Sequence, residues 1–359
     1  MTKLIDICDI QYGYAFDSAC FTEDDSYLPL VRIRDVKRGF SETFYSGEYP
    51  EEYVIHKGDL IVGMDGEFNI ARWKSIDALL NQRVCKLKAK EGTNEEYLRF
   101  ALVKALKTIE DKTAFVTVKH LSAKELNKLE LDMPGIEEQN VRAESMAKLE
   151  KVISHRKEEL SALDNLIKAR FVEMFGDPVK NPKGWEVVTI GDIVTEVRYG
   201  TSKPAVEGGK YPYLRMNNLT ADGHLDLNDL KYIDIPDDEI EKCVVRKGDV
   251  LFNRTNSIEL VGKTVVFDLQ EDMIIAGYII RVRLNKRLLP EILSQYMNLE
   301  ALKDILRSMA KGAVNQANIN AQELRSIKVY IPDMELQKQF IEMKNQVDKS
   351  KVTVQKAFE

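Results

Sequence analysis

The stretch HKGDLIVG, from His56 to Gly63, and the stretch RKGDVLFN, from Arg246 to Asn253, decide the fold. Each joins a Lys-Gly-Asp turn to an apolar run, a pattern typical of a turn that leads into a buried strand. One match of this length is weak, because such turns are common. Its weight depends on whether the surrounding sequence also repeats.

The sequence on both sides of these stretches does repeat, and in the same order. The separation between matching segments grows slowly along the chain, as loop insertions in the second copy produce, whereas chance matches do not keep their order. An internal duplication is therefore predicted. The matching segments are DICDIQYG at 6–13 and DIVTEVRYG at 192–200, YLPLVRI at 27–33 and YPYLRM at 211–216, ALKTI at 105–109 and ALKDI at 301–305, and AKEL at 123–126 and AQEL at 321–324.

The length and composition fit a two-domain globular protein. A chain of 359 residues is too long for one typical core, and 44% of its residues are hydrophobic. No run approaches the roughly 18 apolar residues of a membrane span, and the N-terminal sequence MTKLIDICD lacks the apolar stretch of a signal peptide. We therefore expect a cytoplasmic protein.

Cysteine, histidine and net charge narrow the chemistry. The four cysteines and four histidines are scattered singly, without C-x-x-C spacing. This pattern disfavours a zinc site, a disulfide and a thiol nucleophile, so no metal site is predicted. The net charge of -6 argues mildly against a nucleic-acid partner, unless a local basic face outweighs it.

The composition changes after Gly135. Between Ile136 and Phe175 there is no Gly or Pro, and apolar residues recur at steps of three, four and seven, which predicts a long helix with a heptad seam. Gly176 and Pro178 then favour the end of the helix. The second copy ends in a similar pattern after Pro332. The predicted coiled-coil seam consists of Met146, Leu149, Ile153, Leu160, Leu163, Ile167 and Met174 in the first helix and Leu336, Phe340, Met343, Val347 and Val354 in the second.

Within each copy, the remaining sequence predicts mainly short strands. Segments such as QRVCKLK and MIIAGYIIRVRL are rich in branched residues and are bounded by turn residues. One helical segment is predicted in each copy, near Glu95 to Ile109 and near Pro290 to Met309. The fold class is therefore α+β, present twice. Residues 1–135 and 176–331 are the predicted globular domains, and residues 136–175 and 332–359 are the predicted long helices.

Three near-matches to catalytic motifs are interpreted as structural. The VGKT sequence at 261–264 lacks the first glycine of a phosphate-binding loop, because Ser257 stands there. Glu342 and Lys344, which follow Pro332-Asp333 as in some metal-dependent nucleases, lie two positions apart on a helix and thus on different faces. The NPKGW sequence at 181–185 lacks the second proline and the stacking aromatic of an adenine methyltransferase loop. No catalytic residue is predicted.

Two variable globular copies, each followed by a long helix, resemble the specificity subunit of type I restriction-modification systems. The resemblance covers the whole chain. It implies that residues 1–135 and 176–331 are target recognition domains and that the two helices form an antiparallel coiled coil that separates them. The second helix is clearly shorter than the first, which departs from the family pattern. The resemblance rests on EMFGDP and NPKGW between Glu173 and Trp185, the two Lys-Gly-Asp strands, YGTSKP from Tyr199 to Pro204, and the helix starts PGIEEQ and PDMELQ.

The resemblance also implies partners and cofactors. The chain is expected to be a non-catalytic subunit that recognises a bipartite, asymmetric target in double-stranded DNA. Two methyltransferase subunits are expected to dock on the helices and to methylate adenine, and restriction subunits are expected in the full complex. No cofactor is expected in this chain. The partner methyltransferase is expected to use S-adenosylmethionine, and the partner restriction subunit ATP and Mg.

Candidate DNA-contacting residues follow from the chemistry of readout. Arg and Lys recognise guanine, Asn and Gln recognise adenine, and Lys, Arg, Ser and Thr contact phosphates. Such residues cluster in loops beside the predicted strands, at matching places in both copies. For any one of them the alternative is a solvated loop or a turn. The candidates are Arg32, Arg34, Lys37, Arg38, Arg72, Lys74, Thr113, Thr117, Lys119 and His120 in the first copy, and Arg198, Thr201, Ser202, Lys203, Arg215, Asn217, Asn218, Asn253, Arg254, Asn256, Asn315, Gln316 and Asn318 in the second.

Two other function classes remain open from the residues alone. One is an enzyme that itself acts on DNA, which the failed catalytic motifs disfavour, and the other is a coiled-coil scaffold with two protein-binding domains. Metal-dependent or S-adenosylmethionine-dependent activity of the purified chain favours the enzyme. Absence of sequence-selective DNA affinity in the complex with its partners favours the scaffold.

Overall fold

The structure, a computed structural model, describes residues 1–112, 120–313 and 316–356. It separates into two compact units, unit 1 from Met1 to Ser154 and unit 2 from His155 to Glu359. Both units combine short strands with helices. The predicted α+β class, present in two copies, is confirmed. None of the helices within the described ranges is long and apolar enough to span a membrane.

Unit 1 has two main sheets. Its strands are β1 (Thr2–Lys3), β2 (Cys8–Tyr12), β3 (Phe21–Thr22), β4 (Leu28–Val31), β5 (Phe44–Tyr45), β6 (Val54–Ile55), β7 (Leu60–Gly63), β8 (Ile70–Arg72), β9 (Ala78–Leu80), β10 (Val84–Ala89) and β11 (Glu130–Leu131). One sheet is antiparallel, with the order β2-β10-β7-β8. The other has the order β3-β5-β4-β9-β6, in which β4 and β9 run parallel. β1 pairs with β11.

The helices of unit 1 complete its core. They are α1 (Leu4–Ile7), α2 (Ile33–Arg38), α3 (Glu95–Lys112), α4 (Ala123–Lys128) and the first part of α5 (Ile136–Phe175). Leu98, Leu102 and Leu106 recur every four residues along α3 and are fully buried in a cluster with Leu60 and Val62 of β7. The apolar stripe of α3 therefore covers one face of the antiparallel sheet.

Unit 2 repeats this plan with a few additions. Its strands are β12 (Glu186–Thr189), β13 (Val194–Tyr199), β14 (Tyr211–Leu214), β15 (Lys231–Ile233), β16 (Val244–Val245), β17 (Val250–Asn253), β18 (Thr255–Asn256), β19 (Thr264–Val266), β20 (Met273–Ile275), β21 (Ile279–Leu284), β22 (Lys311–Ala313), β23 (Gln316–Asn318) and β24 (Lys328–Ile331). Its helices are the second part of α5, then α6 (Ile190–Ile193), α7 (Asp237–Cys243), α8 (Pro290–Met297), α9 (Glu300–Met309), α10 (Ala321–Ser326) and α11 (Met334–Lys356).

The two main sheets of unit 2 match those of unit 1, except that β3 of unit 1 has no counterpart. The order β13-β21-β17-β19 corresponds to β2-β10-β7-β8, and β15-β14-β20-β16 corresponds to β5-β4-β9-β6. The parallel pair of β4 and β9 is matched by β14 and β20. β12 pairs with β24, as β1 pairs with β11. The additional sheet β18-β23-β22 follows the end of β17.

The two Lys-Gly-Asp turns have the same geometry. Gly58 has a φ of 101° and Gly248 a φ of 90°, which lie in the left-handed region that favours glycine. The carboxylate of Asp59 accepts a hydrogen bond from the His56 backbone N–H at 2.9 Å, and Asp249 accepts one from Arg246 at 2.9 Å. The turn is therefore repeated because each copy needs the same entry into the central strand of its antiparallel sheet.

One extra residue in the second copy has a structural explanation. The segment 192–200 is one residue longer than its match at 6–13. The pairing of β13 with β21 shifts register between Val194 and Glu196, whereas β2 pairs with β10 without a shift. Thr195 is thus the extra residue of a β-bulge. The register on either side of it remains equivalent in the two units.

The start of each long helix is held by a buried glutamine. The side chain of Gln139 accepts a hydrogen bond from Asn94 N at 2.9 Å and donates to Pro134 O at 2.8 Å. Gln337 accepts from Leu289 N at 2.9 Å and donates to Pro332 O at 2.9 Å. These glutamines end the sequences PGIEEQ and PDMELQ, so the repeated motif attaches each helix to its globular domain.

The two long helices pack against each other within unit 2. The ring of Phe340 on α11 lies 5.2 Å from that of Phe171 and 5.5 Å from that of Phe175, both on α5. Further along α11, Lys351 Nζ lies 2.5 Å from Asp164 Oδ1. Residue numbers rise along α11 as they fall along α5, so the two helices run antiparallel where they pack.

The predicted seam residues differ in their surroundings. Met146, Leu149 and Ile153 are exposed, with exposed fractions of 44%, 57% and 42%. The packing between the helices begins further along α5, where the second helix reaches. Leu160, Leu163, Met174, Leu336, Met343 and Val347 are partly buried, and Ile167, Phe340 and Val354 are buried.

Candidate nucleic-acid interface

A cavity of about 620 Å³ lies in unit 2, beside the ends of several strands. Its walls include the segment after β13, the segment after β14, the end of β17 and the turn between β20 and β21. The backbone of Gly200 passes so close to β20 that an added Cβ would lie 2.1 Å from Ile275 O. This close crossing brings residues from distant parts of the sequence to one site. The predicted DNA-contacting residues among its lining are Thr201, Ser202, Lys203, Arg215, Asn217 and Arg254.

Two of the three cations in the cavity have carboxylate partners. Lys203 Nζ lies 2.8 Å from Glu239 Oε2. Arg215 Nη2 donates to the carboxylate of Asp229 at 2.6 Å and also to the backbone carbonyl of Asp229 at 3.1 Å. These carboxylates reduce the local positive charge and fix the direction of both side chains.

Arg254 is held differently. Its Nη2 donates to Asn318 Oδ1 at 3.0 Å, and its guanidinium carbon lies 5.0 Å from the centre of the Tyr199 ring. The Tyr199 hydroxyl accepts a hydrogen bond from Ala321 N at 2.8 Å. Among the described residues, no carboxylate forms an ion pair with Arg254. The described groups that contact its positive charge are therefore neutral: the Asn318 amide and the Tyr199 ring.

Two buried lysines support the loops behind the cavity. Lys263 Nζ donates to Met216 O at 2.7 Å, and Lys303 Nζ donates to Gly262 O at 2.6 Å and to Asn298 Oδ1 at 2.9 Å. Burial lowers the pKa of Lys263 and lowers that of Lys303 to about 8. Lys263 belongs to the VGKT sequence, whose lysine thus positions the loop that carries Arg215 and Asn217.

The same backbone frame exists in unit 1. Met64 N donates to Arg83 O at 2.9 Å directly after β7, and Arg254 N donates to Tyr278 O at 3.0 Å directly after β17. Arg32 N is capped by the Asp35 carboxylate at 3.0 Å, and Arg215 N by the Asn218 amide oxygen at 2.8 Å. Equivalent positions in the two units can therefore be identified from hydrogen bonds alone.

Different side chains occupy several of these equivalent positions. Asp65 in unit 1 matches Thr255 in unit 2, because Asp65 bridges to His120 as Thr255 pairs with Asn318. The carboxylate of Asp65 is hydrogen-bonded to His120 and lies 3.4 Å from Arg83 Nε. In unit 2 the place of this charged group is taken by Thr255, Asn318 and Tyr278. The two units thus present different chemistry on one frame.

A basic group surrounds α2 in unit 1. Arg34, Lys37 and Lys74 are exposed, and Lys74 packs over Gly39 at the end of the helix. Arg38 stacks on the Phe40 ring at 4.3 Å and pairs with Glu42 at 2.8 Å. Arg32 donates to the Thr43 hydroxyl. Arg34, Lys37 and Arg38 lie on α2 rather than in a loop, and Lys74 follows β8.

Several candidates belong to the frame rather than to the surface. Arg72 forms ion pairs at 2.9 Å with both Glu95 and Glu96. Asn218 and Asn253 have exposed fractions of 2% and 0%, because their amides satisfy backbone groups inside the unit. In this structure the three side chains serve the fold, and their contact with DNA stays a prediction.

The remaining candidates lie at the edges of the site or elsewhere. Asn256 is half-buried and donates to Asn253 Oδ1 at 2.8 Å, Arg198 is exposed beside Glu196, and Gln316 is exposed on β23. His120 is exposed and belongs to the Asp65 group. Thr113, Thr117, Lys119 and Asn315 lie outside the described residues.

Three residues of the site were not predicted. Tyr278 is 50% exposed and lines the cavity of unit 2. Asp65 and Arg83 form the charged group at the equivalent place in unit 1. Arg83 and Tyr278 are residues of different types, so a search for similar residues in the two copies does not identify them as equivalent. The register of β10 and β21 does, because each residue directly precedes its strand.

Another polar group joins α11 to the rest of unit 2. Among the described residues, one cluster could ligate a metal ion. It consists of Asp164, Asp222 and His224, whose ligand atoms lie within 4.8 Å of one another. The buried Lys351 ammonium lies 2.5 Å from Asp164 Oδ1 and 3.4 Å from His224 Nε2. A positive charge is therefore already present at this place, and we interpret the group as an ion-pair network.

Comparisons with known proteins agree with this arrangement. The family model described as type I restriction modification DNA specificity domain matches residues 1–164 and 182–357. The type I restriction enzyme EcoBI specificity subunit of Escherichia coli is 30% identical, over 93% of this chain and 76% of the relative. The EcoKI specificity subunit of Escherichia coli strain K12 is 24% identical, over 92% of this chain and 78% of the relative.

A solved structure shares the fold. The S subunit of a type I restriction-modification system from M. genitalium matches with a TM-score of 0.53 and 15% identity. The match covers 99% of this chain and 91% of that one. At this identity the likeness concerns the fold alone.

Proposed function

The chain belongs to the type I restriction-modification DNA specificity family, and from this membership we propose that it reads a bipartite, asymmetric DNA target. As a DNA sequence-specificity subunit, it directs adenine methylation and restriction to that target. The chemistry itself is carried out by partner subunits. Each unit reads one half of the target.

The proposal rests on one observation: the two units share the same backbone arrangement but place different side chains on it. Strand order, turn geometry and capping hydrogen bonds match between the units. At the equivalent place, unit 1 has Asp65, Arg83 and His120, whereas unit 2 has Tyr278 and Asn318 together with the buried Thr255. Donor and acceptor patterns on base edges are read by complementary side chains, so different sets select different bases. The two half-sites are therefore expected to differ.

Partners and cofactors follow from the same proposal. Specificity subunits of type I systems work with methyltransferase and restriction subunits, and we infer two methyltransferase subunits for each copy of this chain. The exposed seam residues of α5 are available for such docking. We assign S-adenosylmethionine to the methyltransferase subunits, and ATP and Mg to the restriction subunit. This chain itself holds no cofactor in the proposal.

The test is a domain exchange read out by methylation. Methylated adenines are mapped across the genome of a host that carries the complete system, with and without the gene for this chain. Residues 1–135 are then replaced by the corresponding region of the EcoKI relative, and in a matched variant residues 176–331 are replaced instead. Each exchange should change one half of the methylated motif and leave the other half unchanged. Two changed halves after one exchange would contradict the proposal.

A further inference from the structure

We propose that Arg254 is the residue with which unit 2 reads a guanine, and that unit 1 lacks this contact because Met64 occupies the equivalent place. The inference rests on the proposed DNA-recognition function and adds the residue and the base to it. It also separates Arg254 from Arg215, which lines the same cavity.

The equivalence of Met64 and Arg254 follows from backbone hydrogen bonds on both sides of each residue. Beside the bonds from their N–H groups described above, the carbonyl of Met64 accepts from Leu121 N at 2.7 Å. The carbonyl of Arg254 accepts from Ile319 N at 2.8 Å. Met64 is buried with an exposed fraction of 4% and packs into the core of unit 1. An apolar side chain in one unit and a cation in the other is a difference that selects between bases.

The Arg254 guanidinium is restrained in one plane. The Tyr199 ring lies against its face, and Asn318 Oδ1 accepts a hydrogen bond from Nη2. Tyr199 is itself fixed by the hydrogen bond from Ala321 N, and Asn318 lies in β23, which pairs with β18. Both restraints come from elements other than β17 and β18, between which Arg254 lies. The side chain is therefore pre-organised, which lowers the entropy that binding must remove.

The hydrogen-bonding groups of Arg254 are also incompletely used. Nε is buried without a hydrogen-bond partner among the described residues, as is Arg215 Nε, so only the Nη groups of Arg254 can reach a ligand. No carboxylate competes for the guanidinium, whereas Arg215 donates twice to Asp229. Arg254 Nη1 and the second N–H of Nη2 remain for a ligand, and the two Nη groups of a guanidinium match the O6 and N7 acceptors of guanine in the major groove. A phosphate contact needs charge and reach but not a fixed plane, so the restraint favours a base over a phosphate.

The supporting position of Asn318 has a consequence for selectivity. Its amide oxygen is occupied by Arg254, so it acts on the base through the arginine rather than by an adenine-type bidentate contact. Asn318 is thus a positioning residue. The matching residue in unit 1 is His120, which is bonded to Asp65 instead. The two units therefore differ at both positions together: unit 2 has Arg254 and Asn318 where unit 1 has Met64 and His120.

The test measures binding of the full chain, in complex with its methyltransferase subunits, to the duplex identified by methylation mapping. A set of duplexes with single base-pair changes is measured at one fixed salt concentration. Arg254→Met should weaken binding to the cognate duplex roughly 10- to 100-fold. It should also remove discrimination at a single guanine in one half-site, and Arg254→Lys should lose the same discrimination while keeping more affinity, because lysine keeps the charge but not the planar edge.

Two controls separate this outcome from others. Arg287→Met removes an equal charge from an exposed ion pair with Glu186 and should leave discrimination unchanged. Asn318→Ala should loosen selectivity at the same guanine, and the double variant with Arg254→Met should be no worse than Arg254→Met alone.

Equal weakening of Arg254→Met on every duplex would overturn the inference and make Arg254 a phosphate contact. Unchanged binding would overturn it as well. A wild-type complex without any sequence preference would instead refute the proposed function. Thermal melting of each variant verifies that unit 2 is folded.

Discussion

The buried ammonium of Lys303 should make the stability of unit 2 depend on pH in a defined direction. Lys303 lies at the base of the site, where it joins α9 to the turn before β19 through Gly262 O and to Asn298. Burial lowers its pKa from 10.5 to about 8 in the folded chain. In the unfolded chain a lysine has a pKa of about 10.4. The folded state thus binds the proton less tightly than the unfolded state.

The sign and size of the effect follow from this difference. Below about pH 8 both states are protonated, and folding bears the full cost of burying the charge. Between about pH 8 and pH 10.4 the unfolded state holds more protons, so stability increases with pH. The contribution of Lys303 to the free energy of unfolding should rise by about 3 kcal/mol between pH 7 and pH 10.5. Other groups titrate in the same range, so the effect is measured as a difference between variants.

The assay is urea unfolding at several pH values, for the wild type and for Lys303→Met. Trp185 is the tryptophan of unit 2 and Trp73 that of unit 1, so Trp185 fluorescence in a Trp73→Phe background reports on unit 2. The free energy of unfolding of the lysine chain should rise relative to that of Lys303→Met as pH increases. Lys286→Met removes an exposed ammonium as the matched control. A difference between wild type and Lys303→Met that stays constant with pH would refute the reasoning.

Two further predictions concern packing. Phe340→Ala should lower the free energy of unfolding of unit 2 by about 3 to 5 kcal/mol, because the Phe171 ring packs against it at 5.2 Å; urea unfolding measures this, and the exposed Val352→Ala should have little effect. Equal effects of the two changes would show that the helix contact contributes nothing. Gly200→Ala should destabilise unit 2 by at least about 1 to 3 kcal/mol and weaken DNA binding, because its Cβ would lie 2.1 Å from Ile275 O. Wild-type melting and binding of that variant would contradict the close crossing.

The sequence by itself determined the duplication, the fold class, and the positions of turns and helix boundaries. The two Lys-Gly-Asp turns, the helix from Ile136 to Phe175 and the repeated helix starts PGIEEQ and PDMELQ are all readable from residue type and spacing. These features depend on a few neighbouring residues, such as a left-handed glycine or a capping carboxylate. Local interactions of this kind act over a few residues, so a linear pattern contains them.

Only the tertiary structure decided which polar side chains belong to the site. Asn217 and Asn218 are adjacent and identical in type, yet Asn217 lines the cavity and Asn218 is buried as a cap. The sequence alignment already places Met64 opposite Arg254, but only the structure shows that Met64 is buried in the core while Arg254 lines the cavity. Accessibility and pairing arise from chain segments far apart in sequence, and a hydrogen bond or an ion pair can satisfy a polar group that composition alone marks as free to bind.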